Sequence, residues 1–194
     1  ASVAPASVAP ASVAPKLGSR ALFPDLEVDV YLNHAAVSPA SAPVMTAVAG
    51  TLQGYGRQGV AQFPLEMARR DRVRHALATL LGATAAHIAL IPNTSAGVTD
   101  IALWVPWRRG DRVLLFRGEF PANVTPWQRA AALFGLELVW MDAEDFRLDR
   151  HAALAELNTV LRGGIRLVAV SLVQFATGQR MPMEAIGGLC AQHG

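Results

Sequence analysis

Two residues with hydroxyl side chains lie where a predicted strand leads into a predicted helix. Thr94 and Ser95 belong to the loop 92–97, Pro-Asn-Thr-Ser-Ala-Gly. Free backbone amides and the positive end of the helix dipole suit such a position to a phosphate group. An ordinary Ser/Thr N-cap without a ligand would have the same sequence. No G-x-x-x-x-G-K is present and no G-x-G-x-x-G supports a Rossmann site, so neither nucleotide-binding loop is predicted.

Two further loops follow predicted strands and carry groups that can contact a small molecule. Phe120, in the first, offers a ring that can lie on a heteroaromatic ring, although a lone Phe is also typical of a core. The second contains Gln174, Gln179 and Arg180, whose side chains can hydrogen-bond a ligand, beside Gly178, which permits a sharp turn. A polar surface loop is the other interpretation of this segment.

The histidines and the cysteine predict no metal site. The five histidines are scattered without the spacing of helix-borne metal ligands, and the single cysteine, Cys190, excludes an intramolecular disulfide and a cysteine-based zinc site. We interpret Cys190 as a packing residue in the last helix rather than a nucleophile. His34, between a short predicted strand and a turn, is placed where it could contact a ligand.

Composition limits the possible partners and mechanisms. The chain has 194 residues, of which 52% are hydrophobic and 16% charged, enough for a substantial core. A net charge of +2 provides no field for nucleic acid or anionic lipid, and we expect a cytoplasmic protein with neither nucleic-acid nor membrane partners. Lys16 is the single lysine, so a mechanism that needs a lysine in the folded body is excluded for this sequence.

The elements that must position these residues alternate along most of the chain. Ahead of the alternation we predict a strand over 28–32 and helices over 39–55, with Ser38 as N-cap, and 65–81, ended by Gly82. Strands are then predicted over 87–91, 112–116, 136–141 and 165–173, interleaved with helices over 95–105, 124–134, 150–161 and 183–192. This order indicates an α/β fold with three α/β/α layers and a mainly parallel sheet.

Four segments, taken together, resemble the class V aminotransferase family of fold-type I pyridoxal-phosphate (PLP) enzymes. That family includes kynureninase-like, isopenicillin-N-epimerase-like and cysteine desulfurase-like proteins. The segments are YLNHAAVSP (31–39), IPNTSAGVTD (91–100), RGEFPANVTPW (117–127) and VSLVQFATGQRMPMEAI (170–186). The resemblance implies a PLP-dependent enzyme acting on an amino acid by transamination, epimerisation or Cα/Cβ lyase chemistry, and a homodimer in the full-length protein.

The resemblance also implies roles for particular residues. Thr94 and Ser95, with the Ala96 amide, match the segment that holds the cofactor phosphate. Two more matches concern the pyridine ring: Phe120 occupies the position that stacks on it, and Gln174 lies in the loop that approaches it.

Three other positions match polar residues of the family's pocket. Asn123 falls where some members place another cofactor-side residue, and Asn33 and His34 match the segment that closes over the substrate. Phe120 and Phe175 stand where desulfurase-like members tend to have His and Asn. These two departures favour another branch over a cysteine desulfurase.

The family's catalytic lysine and its pyridine-pairing aspartate have no counterpart in this sequence. Without them no catalytic residue is assigned, and we expect the chain to be the truncated amino-terminal portion of such an enzyme, inactive alone. The predicted parts are an Ala/Ser/Val/Pro tail (1–21), an N-terminal segment (22–60) and the first part of an incomplete PLP-binding large domain (61–194). A non-catalytic half-fold that serves as a binding or interaction module is the alternative.

Overall fold

A computed structural model of the protein describes residue 16 and residues 18–194, which form two compact units divided after Ala89. The ASVAP repeats of the predicted tail lie outside the described residues. The predicted boundaries at residues 21 and 60 stay a prediction.

The first unit consists mainly of two helices. They are α1 (Ala42–Gln58) and α2 (Phe63–Leu81), joined by the 3-10 turn Gly59–Gln62. Both predicted helices are confirmed, and Gly82 ends α2 in the left-handed conformation.

The predicted start of the first helix at Pro39, with Ser38 as its N-cap, is wrong. Ser41 occupies the N-cap position, and Pro43 lies in the first turn, where its missing N–H costs nothing. The Ser38 hydroxyl is instead 3.1 Å from Nδ1 of His34. The chain before Ala42 is therefore an ordered turn rather than helix.

The predicted strand over 28–32 is also wrong. Its residues form bends and extended backbone without a strand partner in the described chain. The Arg20 guanidinium donates to the carbonyl oxygens of Val28 at 2.7 Å and Asp29 at 3.1 Å. An arginine side chain thus occupies carbonyls that a neighbouring strand would otherwise bond.

The predicted strand over 87–91 fails for the same reason. The segment begins as a 3-10 turn, Ala85–His87, and continues without strand pairing. Arg74 of α2 donates from Nε to the Ile88 carbonyl at 3.0 Å and from Nη2 to the Ala85 carbonyl at 2.8 Å. The predicted four strands of the sheet are therefore three.

The second unit is built around these three parallel strands. They are β1 (Arg112–Arg117), β2 (Glu137–Asp142) and β3 (Leu167–Ala169), in the order β2-β1-β3. Leu115 of β1 faces Trp140 of β2 and Ala169 of β3. β3 is shorter than the predicted strand over 165–173.

Helices cover both faces of this sheet. They are α3 (Thr94–Trp104), α4 (Thr125–Phe134), α5 (Asp145–Leu148), α6 (Arg150–Arg162) and α7 (Met183–His193). The four longer helices were predicted to within one or two residues, and α5 was not. No helix in the described part of the chain combines the length and the apolarity needed to cross a membrane.

The two faces of β1 form separate cores. Leu114 and Phe116 pack toward a cluster that includes Leu157 of α6 and Ile186 of α7. On the opposite face, Val113 and Leu115 pack with residues of α3 and α4, among them Ala102, Trp127 and Ala130. The predicted α/β fold with three α/β/α layers is therefore confirmed.

Candidate functional site

The candidate site lies at one edge of the sheet. β1 and β3 are parallel neighbours, so the loops that follow them leave the sheet on the same side. The loop after β1 carries Phe120, and the loop after β3 carries Gln174. The turn Pro121–Asn123 also contacts α3, whose amino terminus carries Thr94 and Ser95.

The hydroxyls at the start of α3 are available for a ligand. Asn93, and neither Thr94 nor Ser95, caps this helix, because Asn93 Oδ1 accepts the Ala96 N–H at 2.9 Å. The interpretation as an ordinary Ser/Thr N-cap is therefore wrong. Thr94 and Ser95 are exposed, and neither hydroxyl has a hydrogen-bond partner among the described residues. The Ala96 amide is already engaged by the cap, and its predicted role at a phosphate stays a prediction.

Phe120 presents part of its ring to solvent. The side chain is 52% exposed, so it is not the core residue that a lone Phe often is. Its ring meets that of Phe175 edge-to-face, with centroids 5.2 Å apart and an interplanar angle of 83°. The exposed part of the Phe120 ring is area that a planar ligand can contact.

Asn123 makes a contact within the protein. Its Oδ1 accepts a hydrogen bond from Trp127 Nε1 at 3.2 Å, one turn into α4. This bond anchors the turn that follows Phe120. The predicted cofactor-side role of Asn123 is not tested by this contact.

Gln174 is the most distinctive polar residue at the edge. It is 3% exposed, and its Nε2 donates to Glu119 Oε1 at 3.1 Å. Its own Oε1 is buried without a hydrogen-bond partner in the structure. A buried acceptor without a donor is uncommon in proteins. Gln174 lines a cavity of about 280 Å³ together with Gly118 and Thr177.

The other two polar residues of this loop point elsewhere. Gln179 Nε2 donates to the Ala143 carbonyl at 3.2 Å, so its amide is used within the protein. Arg180 pairs through its backbone with Val173 and lines a different cavity, of about 620 Å³, with Arg150.

Asn33 and His34 belong to the first unit, whereas the residues described so far belong to the second. The Asn33 carbonyl closes a turn by accepting the N–H groups of Ala36 and Val37, each at 3.2 Å. The His34 ring contacts the Tyr31 ring edge-on, with centroids 5.0 Å apart. Their predicted place at the substrate stays a prediction.

Among the described residues, the remaining candidates form neither a metal site nor an activated nucleophile. No group of three or more potential metal ligands occurs among residue 16 and residues 18–194. Cys190 packs against the α6 and α7 core, and partial burial raises the pKa of its thiol, which opposes formation of the nucleophilic thiolate. The sequence at 54–59 does have G-x-G-x-x-G spacing, but it spans the end of α1 and does not follow a strand.

Sequence reasoning missed three residues of the edge. Asn93 caps α3, Glu119 is a buried carboxylate, and Ser171 is hydrogen-bonded to it. Asn93 had a visible signal, since Asn before a helix is a preferred cap. For Glu119 the only signal was an acidic residue directly after a buried strand.

Three features of this unit each suit one part of a planar aromatic ligand that carries a phosphate. Two free hydroxyls at a helix amino terminus suit the phosphate, and an oriented, half-exposed phenyl ring suits the aromatic part. The unpaired acceptor of Gln174 leaves a place for a donor on such a ligand. PLP meets this description.

Comparison with known proteins shows the family. The family described as Aminotransferase class-V matches residues 30–194, and the chain belongs to this family. A probable cysteine desulfurase from Pyrococcus abyssi is 26% identical over 85% of this chain and 42% of its own length. A cysteine desulfurase from Klebsiella pneumoniae is 29% identical over 90% of this chain and 46% of its own length. The chain thus spans less than half the length of these curated relatives.

Solved structures share the fold. C-DES with glycine covalently linked to its PLP cofactor aligns with a TM-score of 0.80 at 24% identity, over 91% of this chain and 46% of that one. The cystine C–S lyase C-DES in complex with cysteine persulfide gives a TM-score of 0.69 at 28% identity, over 77% of this chain and 39% of that one. The departures at Phe120 and Phe175 had favoured another branch, and the relatives named here are nevertheless cysteine desulfurases and a C–S lyase.

Proposed function

We propose that this chain binds PLP and forms the cofactor-holding part of an enzyme that acts on an amino acid. One observation carries the proposal: Asn93 caps α3, which leaves the hydroxyls of Thr94 and Ser95 free at the helix amino terminus. Hydroxyl donors and a helix dipole at the same point favour a dianionic phosphate. Family membership supports the choice of PLP among phosphorylated aromatic molecules.

The aromatic ring of the cofactor is assigned to Phe120. The exposed part of this ring is available for stacking, and the Phe175 ring contacts it at an interplanar angle of 83°. Gln174 is assigned to the polar substituents of the cofactor, with Asn123 as a further cofactor-side residue. Asn33 and His34 are assigned to the amino-acid substrate, and the full-length protein to a homodimer, on the resemblance alone. The cytoplasmic location is proposed from the single cysteine, which fits a reducing compartment.

The cofactor would supply the electron sink on which amino-acid chemistry of this family depends. Among the alternatives of transamination, epimerisation and lyase chemistry, the names of the relatives favour a lyase that cleaves a C–S bond. Residues 18–194 contain no lysine that could hold the cofactor covalently. We therefore expect the chain alone to bind PLP without turning over an amino acid.

The binding assignment is tested by replacing both hydroxyl residues. The double variant Thr94→Ala/Ser95→Ala is expected to raise the Kd for PLP about tenfold or more, since two hydrogen bonds to a charged phosphate are lost. Cofactor absorbance during a titration measures this change.

A matched control removes a hydroxyl from a different helix. Thr159→Ala, in α6, deletes a hydroxyl that donates to the Ala155 carbonyl, and it should leave the Kd unchanged. An affinity that is the same in the double variant and the unaltered chain would reject the assignment of the phosphate to α3.

A further inference from the structure

A buried carboxylate at the edge of the sheet has no role in the function proposed above. Glu119 is 8% exposed and follows Gly118, whose φ of 90° lies in the left-handed region that favours glycine. This turn comes directly after β1, the central strand. No ion pair in the described chain includes Glu119, so hydrogen bonds alone hold its carboxylate.

Three donors from the loop after β3 surround this carboxylate. Its Oε1 accepts the Ser171 N–H at 2.7 Å and Gln174 Nε2 at 3.1 Å, and its Oε2 accepts the Ser171 hydroxyl at 2.5 Å. The Glu119 carboxylate accepts all three of these hydrogen bonds. Glu119 therefore determines which end of the Gln174 amide faces it: the NH2 group faces Glu119, and the carbonyl oxygen faces away.

This orientation determines what surrounds the carbonyl oxygen of the Gln174 amide. Gln174 Oε1 has no partner, and the nearest atom to a Cβ built on Gly118 is this oxygen, at 3.9 Å. The carbonyl thus lies near the Gly118 turn, and both residues line the cavity described above. The same pair of loops carries Phe120 and Phe175, whose rings are in contact. One carboxylate therefore joins the two loops that hold the aromatic ring and the unpaired acceptor.

We propose that Glu119 is a positioning residue of the cofactor site. It orients Gln174 as a hydrogen-bond acceptor toward a donor on the bound ligand, and it fixes the loop of Phe120 to the loop of Phe175. The inference rests on the proposed function, because the ligand that Gln174 and Phe120 meet is PLP in that proposal. Glu119 acts through Gln174 and does not itself touch the cofactor.

A double-mutant cycle tests this role with the Kd for PLP, followed by quenching of tryptophan fluorescence in the full chain. Glu119→Ala and Gln174→Met are each expected to raise the Kd about fivefold to tenfold, the effect of one lost hydrogen bond. If Glu119 acts through Gln174, Glu119→Ala adds less than about twofold in the Gln174→Met background.

The conservative variant Glu119→Gln provides the rescue. Its carbonyl can still accept from the Ser171 N–H and from Gln174, and its NH2 can donate to the Ser171 hydroxyl, which also accepts. Its Kd should therefore stay within about twofold of that of the unaltered chain. If Glu119→Ala does not fold, as judged by urea unfolding, the other two variants test the positioning role. Glu119→Gln must then keep the affinity for PLP, and Gln174→Met must lose it.

The possible results separate the two claims. Independent, multiplicative effects of Glu119→Ala and Gln174→Met, or full affinity in Gln174→Met, would overturn the positioning role and leave the proposed function intact. An unaltered chain without saturable PLP binding would overturn the proposed function and this inference together.

Discussion

The two units differ in which groups form hydrogen bonds to the backbone of their extended segments. In residues 90–194, strands bond to strands, and the sheet is buried between two layers of helix. In the described residues before 90, the carbonyls of two strand-like segments are bonded by Arg20 and Arg74. Ala78 and Gln62 are the only buried residues in that described part. In this protein, an apolar segment therefore forms a strand where the backbone of a neighbouring strand is available for hydrogen bonding.

The two units are expected to differ most in the free energy of unfolding that is lost when an apolar side chain is truncated. Phe116→Ala, in β1, should lower the free energy of unfolding by about 3–5 kcal/mol, because the side chain is fully buried. Leu80→Ala, in α2, removes a side chain that is 79% exposed and should change stability by less than about 0.5 kcal/mol.

Intrinsic fluorescence can follow each unit in this experiment. All four tryptophans (Trp104, Trp107, Trp127 and Trp140) lie in residues 90–194, and both tyrosines (Tyr31 and Tyr55) lie before them. Urea unfolding followed by tryptophan fluorescence thus reports the unit that contains β1. Equal shifts in the tryptophan transition for the two variants would contradict the contrast between the units.

A smaller effect is expected from Arg74→Met. The variant removes two hydrogen bonds to carbonyls while keeping much of the side-chain volume, at a cost of about 1–3 kcal/mol to the local structure. Thermolysin should then cleave faster near Ile88 and Ile91. Arg70→Met is the matched control, since Arg70 is an exposed residue of the same helix without a hydrogen-bond partner in the described chain. Equal cleavage of both variants would show that Arg74 does not hold this segment.

The smallest expected effect is on the stability of the fold at acid pH. The hydrogen bond from Gln62, and then that from Arg69, holds the pKa of Glu66 below its ordinary value of 4.5. A carboxyl with a lowered pKa in the folded state stabilises the fold above its ordinary pKa, and this stabilisation is lost as the pH falls through the lowered value.

Glu66→Gln should therefore weaken the loss of helix content below pH 4.5, measured by circular dichroism, while Glu184→Gln, at an exposed position of α7, should not. An acid transition that keeps its full size in Glu66→Gln would show that this carboxyl does not contribute to it.

The same contrast explains what the sequence could predict. The end of α2 at Gly82 was predicted because the left-handed stop is a local property. β1 and β2 were found because both are short and strongly apolar. The segments over 28–32 and 87–91 could not be judged locally, because their arginine partners lie as far as 14 residues away in sequence.

At the candidate site, the residue types were visible and their contacts were not. The loop of Thr94 and Ser95 was found from its position before a helix, but which residue caps α3 depends on backbone conformation at Asn93. The bond between Glu119 and Gln174 spans 55 positions of sequence, so only the parallel pairing of β1 and β3 brings the two together.

A comparison of PLP with pyridoxal, which lacks the phosphate, shows whether α3 holds a phosphate. Titration of the full chain, followed by tryptophan quenching, should give a Kd at least about tenfold lower for PLP. In Thr94→Ala/Ser95→Ala this preference should largely disappear. Equal affinity of the unaltered chain for both compounds, or a preference for PLP that survives in the double variant, would contradict the account.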